Sequence, residues 1–171
     1  MDADFLLIQR IRNGDDHAID IFVHKYYTPI LKYCRLHIND YGFAEDLTQD
    51  TFVSFFRTVG QYQHYGKALN YLYVIAGNKC RDFYRKQHEL TLDQLPEPSE
   101  SSLDKLDDWM DVHIALKKLP PDIRETAILY YMQGLKQSEI APILNIGLPL
   151  VKYKIRKAKQ LLRSYLEEGR L

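Results

Sequence analysis

GLKQSEIAPILNIGLPLVKYKIRKAKQLL, Gly134 to Leu162, carries two helical patterns separated by a short turn. A short apolar run (Glu139, Ile140, Ala141, Ile143, Leu144) enters the turn Asn145-Ile146-Gly147, and a second helix starts near Leu148. Val151, Ile155, Ala158 and Leu162 share one face of that helix by their spacing. Lys152, Arg156, Lys159 and Arg163 repeat the spacing one residue on and form a basic stripe beside it. Such a helix packs on a small core while presenting cations to phosphates. The blander reading is a solvated basic helix closing a bundle. The short preceding helix and the turn favour a helix-turn-helix that holds DNA. Pro142 breaks the usual pattern. With Lys136 as cap, Pro142 would sit inside the helix, lose a bond to the Ser138 carbonyl and clash with it, at about 3 kcal/mol. The sequence therefore predicts a short helix capped at or next to Ser138, and a second helix starting independently at Gly147.

The 171 residues are 46% hydrophobic, enough for one domain or two small ones. The formal net charge is zero, which suits a DNA-binding protein poorly until the chain is divided. Residues 1–86 carry 11 Lys/Arg and 10 Asp/Glu; residues 87–111 carry one Lys and eight acids; residues 112–171 carry 11 Lys/Arg and five acids. A near-neutral first part, an acidic connector and a basic last part cancel in the average. Cys34 and Cys80 lie far apart with no CxxC, so no disulfide framework is indicated and a reduced, cytoplasmic compartment is expected. The N-terminus lacks the pattern of a signal peptide, and no run approaches the roughly 18 apolar residues of a membrane span. The six histidines form no HExxH and no phosphate-binding glycine loop is present, so neither an enzyme, a metal site, a cofactor nor a small-molecule substrate is expected.

The elements read as all-α. A short helix from Asp4 to Asn13 stops at Gly14. Asp15 or Asp16 caps a second, carrying Ala18, Ile21, Phe22, Tyr26, Ile30, Tyr33 and Cys34 on one face, with a kink expected at Pro29. After a turn at Asn39-Asp40-Tyr41-Gly42, a third helix runs from Phe43 to Val59. It is apolar on two sides, which places it centrally in a bundle. Gly60–Gly66 is an aromatic and amide-rich loop, and a fourth helix runs from Lys67 to Glu89. Pro, Ser, Glu and Asp dominate the stretch that follows, as in a linker. Helices resume near Leu106, are broken at Leu119-Pro120-Pro121, and continue from Asp122 to Gln133 before Gly134. The expected organisation is a four-helix domain (1–90), an acidic flexible linker (91–106) and a helix-turn-helix domain (107–171).

Ala44-Glu45-Asp46-Leu47-Thr48-Gln49-Asp50-Thr51-Phe52 resembles the AEDLxQDxF signature in region 2 of bacterial extracytoplasmic-function (ECF) sigma factors. Tyr71-Leu72-Tyr73-Val74-Ile75-Ala76-Gly77-Asn78, with Asp82 and Arg85, is similar to that family's WLxxIAxNxxxDxxR. Leu119-Pro120 with Arg124 resembles its LPxxxR. Glu139-Ile140-Ala141 and Val151 to Ala158 resemble its region 4. The blocks occur in order around an acidic linker and span nearly the whole chain. The resemblance implies a protein that binds core RNA polymerase, reads and melts a minus-ten element through region 2, and reads a minus-thirty-five element through region 4. It allows an anti-sigma protein as a further partner.

Residue chemistry agrees with those roles. Glu45, Asp46, Gln49 and Asp50 lie near one another on the third helix, and unpaired acids there suit a basic protein surface better than DNA. Solvated acids near a helix N-terminus are the ordinary alternative. Strand opening needs aromatic and amide groups to catch an unstacked base. Gln61, Tyr62, His64, Tyr65 and Asn70 supply them, with Lys79, Arg81, Arg85 and Lys86 beyond for phosphates. Tyr71, at the family's Trp position, and Asn78 are better read as structural. Pro149, Lys152, Tyr153, Arg156, Lys157 and Lys159 are the candidates for the minus-thirty-five duplex. Gly147, Leu150 and Tyr153 depart from the family's polar residues there, which leaves the sequence that is read open. Two other readings compete. A helix-turn-helix regulator acting without polymerase leaves the AEDL block idle, and a protein-only helical adaptor leaves the basic stripe unexplained.

Overall fold

The computed structural model describes residues 2–64, 66–91 and 107–168. Contacts divide the chain into two units, Met1–Ser101 and Ser102–Leu171. Every regular element among the described residues is helical. The expected linker, apart from Thr91 at the end of a helix, lies outside the described residues.

The first unit holds α1 (Ala3–Arg12), α2 (Asp16–His37), α3 (Tyr41–Thr58) and α4 (Ala68–Thr91). Aspartates start the first three. Asp2 accepts from the Asp4 amide, Asp15 from Ala18 and Asp40 from Phe43, each satisfying an amide that the first helical turn leaves free. Asp40 is thus a cap rather than the middle of a turn, and α3 begins at Tyr41, two residues before Phe43. Between α1 and α2 the chain reverses at Gly14, whose φ of +82° favours a residue without a Cβ. α2 runs as one helix through Pro29.

Phe22 of α2 stacks on Phe55 of α3 with centroids 4.7 Å apart, and Tyr33 of α2 meets Tyr73 of α4 at 5.2 Å. All four rings are essentially inaccessible to solvent. Burial of an aromatic side chain stabilises by about 1.5–3 kcal/mol, so these contacts hold the three helices together. α3 does not hold the central place that its two apolar sides predict. α2, α3 and α4 all pack on one another, with α1 added against α2. Phe43, on α3's second apolar side, stays 46% exposed although its ring lies 5.1 Å from that of Phe83. The buried hydroxyls of Thr48 and Thr51 donate to the carbonyls one turn back, Ala44 and Leu47. That is how polar residues are accommodated inside α3.

The second unit holds α5 (Asp107–Lys118), α6 (Pro121–Ala127), a π-helical turn (Ile128–Met132), α7 (Gln137–Leu144) and α8 (Leu148–Glu168). Pro121 opens α6 at a position where no amide proton is needed. The helix expected over Asp122–Gln133 widens at its end, where the Gln133 amide reaches the Ile128 carbonyl at 3.0 Å. The extra residue in this turn is characteristic of a π-bulge. Ile128 and Leu129 remain buried through it.

α7 corrects the expected Ser138 cap. The helix begins at Gln137 with Lys136 as its cap residue, and Pro142 lies inside it. The Glu139 carboxylate reaches back to accept from the Lys136 amide at 2.9 Å, one half of a capping box. This fixes the start two residues earlier than proline avoidance alone suggests. Ser138 and Pro142 are both exposed, so the site of the missing bond lies at the water-facing side of the helix. Asn145, in the left-handed conformation (φ 52°), ends α7. Ile146 donates to Ala141 at 3.0 Å and Asn145 to Pro142 at 3.3 Å, the bond pair of a Schellman motif. α8 starts at once, with the Gly147 carbonyl accepting from Leu150 and Val151 at 3.1 Å each.

Candidate polymerase and promoter interfaces

Asp46, Gln49 and Asp50 are exposed on α3, and Glu45 is half-buried. No acid of the three is in an ion pair among the described residues. The helical period continues the Asp46–Asp50 line to Val53, which is 44% exposed. The face is therefore acidic with an apolar end. Sequence reasoning missed Val53 because it sits within an apolar run and reads as core.

The α3–α4 loop is held more firmly than its polar composition suggests. Tyr62 stacks on Tyr71 with centroids 4.8 Å apart and meets Phe55 edge-on at 5.4 Å. Its hydroxyl lies 3.0 Å from His64 Nδ1, and His64 Nε2 lies 2.7 Å from Asp2 Oδ2. Burial pushes the Tyr62 phenol up to about 12, so it stays protonated at neutral pH. The Asp2 carboxyl is held below its usual value mainly by the His64 contact and then by the Asp4 amide. Tyr62 and His64 are thus tied into the fold, whereas Gln61 projects into solvent. Tyr65 lies outside the described residues. Asn70, in the first turn of α4, keeps its side-chain Oδ1 enclosed without a hydrogen-bond partner. Such an acceptor is costly to leave unsatisfied.

The four cations of α4 do not form one patch. At 3.6 residues per turn, Arg81 and Arg85 fall on the same side as Asn70, while Lys79 and Lys86 fall on roughly the opposite side. Arg81 donates to Asn78 Oδ1 at 2.5 Å, and Arg85 pairs with Asp82 at 3.2 Å, both at the surface.

In the second unit, α7 and α8 pack as a helix-turn-helix. Val151, Ile155 and Ala158 are buried, and Leu162 is half-buried. Pro149, Lys152, Arg156, Lys159 and Arg163 are exposed on one side, with Tyr153, 52% exposed, beside them. Lys157 is half-buried, and Lys154 turns back to Asp122 of α6 at 3.4 Å. None of the four stripe cations is in an ion pair among the described residues. Arg124 supplies a support whose role the sequence alone does not disclose. Its guanidinium donates to the carbonyls of Leu116 (3.1 Å), Lys117 (2.7 Å) and Leu119 (3.0 Å), closing the C-terminal end of α5.

Residues 22–89 match the family model described as Sigma-70 region 2, and residues 110–162 that described as Sigma-70, region 4. The ECF RNA polymerase sigma factor SigE of Mycolicibacterium smegmatis is 35% identical over 133 residues, covering 72% of this chain and 51% of that protein. The chain therefore spans about half the length of that relative. ECF RNA polymerase sigma factor SigW of Bacillus subtilis is 26% identical, covering 94% of this chain and 95% of its own. In fold the chain is similar to CnrH, solved in complex with the cytosolic domain of CnrY, at a TM-score of 0.79 and 24% identity, covering 98% and 99% of the two chains. With both regions matched in order, the chain belongs to the ECF sigma factors, non-catalytic initiation factors that bind core RNA polymerase and direct it to promoters. Among the described residues no helix is long and apolar enough to cross a membrane.

Proposed function

We propose that the two units divide this work between identified faces. The α3 face of Glu45, Asp46, Gln49 and Asp50, extended by Val53, docks on core polymerase. Gln61, Tyr65 and Asn70, with Arg81 and Arg85 on Asn70's side of α4, engage the minus-ten strand, while Tyr62 and His64, packed into the fold, hold the loop that carries them. Lys79 and Lys86, on the other side, serve only flanking phosphates. Pro149, Lys152, Tyr153, Arg156, Lys157 and Lys159 of α8 face the minus-thirty-five duplex. Residues 1–90 and 107–171 are then the region 2 and region 4 domains, joined through 91–106. The protein works in the cytoplasm, where its polymerase is, without catalytic activity of its own. CnrH and the sigma factor RpoE of Bartonella quintana were each solved with a partner, the latter named as the anti-sigma factor NepR. A protein of that class is a natural regulator of this chain.

The observation that carries this division is charge left exposed and unpaired, acids on α3 and cations on α8. A charged surface without an internal partner keeps its full field for an external one. Replacing Asp46 and Asp50 together by Arg tests it. The double variant should lose core-polymerase binding in a pull-down by about tenfold or more, because like charges would then face the basic docking surface. Its binding to minus-thirty-five duplex should be unchanged. Undiminished polymerase affinity would remove α3 from the docking surface.

A further inference from the structure

α1 has no part in the faces assigned above, yet both of its ends are fastened to the α3–α4 loop. At its C-terminal end, Arg12 Nε donates to the Val59 carbonyl at 2.9 Å, and its Nη2 donates to the Tyr62 carbonyl. One guanidinium thus spans the first part of the loop, from the residue after α3 to Tyr62. At its N-terminal end, Asp2 Oδ2 holds His64 Nε2 at 2.7 Å while Oδ1 caps the helix at the Asp4 amide, 3.1 Å away. His64 in turn holds the Tyr62 hydroxyl. At 1.5 Å per residue the two anchors lie about 15 Å apart along α1.

The helix that carries these anchors is itself fixed. Asp4 is buried, and it accepts from Lys25 Nζ of α2 at 2.6 Å and from the Tyr26 hydroxyl. α1 therefore acts as a splint. It is bolted to α2 on one side and grips the loop at Val59, Tyr62 and His64 on the other. The loop also makes short-range backbone bonds, from Gln61 and Tyr62 to the Thr58 carbonyl and from Asn70 to the Lys67 carbonyl. A fold seeking only to close a turn has no need for two long-range anchors, 47 to 62 residues away in sequence. A loop that must present side chains to one base does need them, because recognition requires its groups held to about half an ångström.

We propose that Arg12 and Asp2 are positioning residues for minus-ten recognition: they fix the α3–α4 loop so that its side chains read one base of the melted strand. This rests on the assignment of that loop to the minus-ten element. It adds two residues distant from the loop in sequence, which act through the loop and not on the DNA.

The test uses the full chain assembled with core polymerase, selecting promoters from a duplex library randomised over both elements. Wild type is compared with Arg12→Ala, Arg12→Lys and Asp2→Ser, and with the loop double variant Gln61→Ala, His64→Ala. Arg12→Ala should lower base discrimination about tenfold at one minus-ten position, the size of one lost base contact. Core affinity and the minus-thirty-five preference should be unchanged. Arg12→Lys should recover only part of the loss, since an ammonium cannot fork to two carbonyls. Asp2→Ser keeps a capping oxygen but cannot reach His64. It should show a smaller loss at the same position, and it carries the test if Arg12→Ala fails to fold. Equal loss at every position, or none in either Arg12→Ala or Asp2→Ser, overturns the positioning role. If the loop variant alters minus-ten preference while those two do not, only the positioning role falls. If the loop variant also leaves it unchanged, the assignment of the loop falls with it.

Discussion

Arg124 shows how one side chain can carry a motif. The pattern Leu119-Pro120 followed by Arg124 is visible in the sequence, but its reason is geometric. Pro120 cannot donate an amide, so the last carbonyls of α5 lack the partners a continuing helix would give them. The guanidinium of Arg124, returning from α6, donates to three carbonyls there. Hydrogen bonds to charged donors are worth about 1.5–3 kcal/mol each and do not add fully. Arg124→Ala should therefore destabilise the second unit by about 2–4 kcal/mol, read as a lower denaturation midpoint for that unit. Arg124→Lys should recover less than half, because an ammonium lacks the planar fork. A lysine variant as stable as the parent would mean that charge alone, not the fork, holds α5. Tyr62 illustrates the opposite case. Its residue type is legible as a base-stacking group, yet the structure uses its ring against Tyr71 and Phe55. Sequence shows what a side chain can do, not which neighbour reaches it first.

At the scale of elements, legibility followed the strength of the local signal. Aspartate caps and a left-handed glycine delimit α1 to α3 to within two residues of their sequence-predicted ends, and the spacing of Val151, Ile155 and Ala158 predicted α8's buried face correctly. The π-turn at Ile128–Met132 was not legible, because one extra residue in a single turn leaves no periodic trace. α7 starts two residues before the position that proline avoidance predicts, for an energetic reason. Proline avoidance favours the later start, whereas the Glu139 bond to the Lys136 amide stabilises the earlier one. The corrected cap changes an expected outcome. Ser138→Ala at an exposed position in the first turn should shift stability by no more than about 0.5 kcal/mol, instead of the roughly 1 kcal/mol of a lost cap. Glu139→Ala should cost about 0.5–2 kcal/mol. Chemical denaturation of the two variants side by side separates the assignments. A larger loss at Ser138 than at Glu139 would restore the later start.

For the whole molecule, charge distribution matters more than total charge. The chain is neutral overall, yet residues 112–171 carry 11 Lys/Arg against five acids. Lys152, Arg156, Lys159 and Arg163 stand exposed in line on α8, while Lys154 is spent on Asp122. Cations that neutralise phosphates release condensed counterions, so affinity for duplex falls with salt at a slope of about 0.9 per phosphate contacted. Binding of the full chain to a minus-thirty-five duplex should therefore be strongly salt-dependent despite its neutral total. Lys152→Ala and Arg156→Ala should each reduce the slope of log K against log salt by about 1 if they contact phosphate. If one of them contacts a base edge instead, its loss should relax sequence preference at one position and leave the slope nearly unchanged. Lys154→Ala is the control. Its ammonium is committed within the fold, so it should leave the slope alone and affect only stability. A slope that drops as much for Lys154→Ala as for Lys152→Ala would show that the field of the whole unit, and not the exposed stripe, sets the affinity.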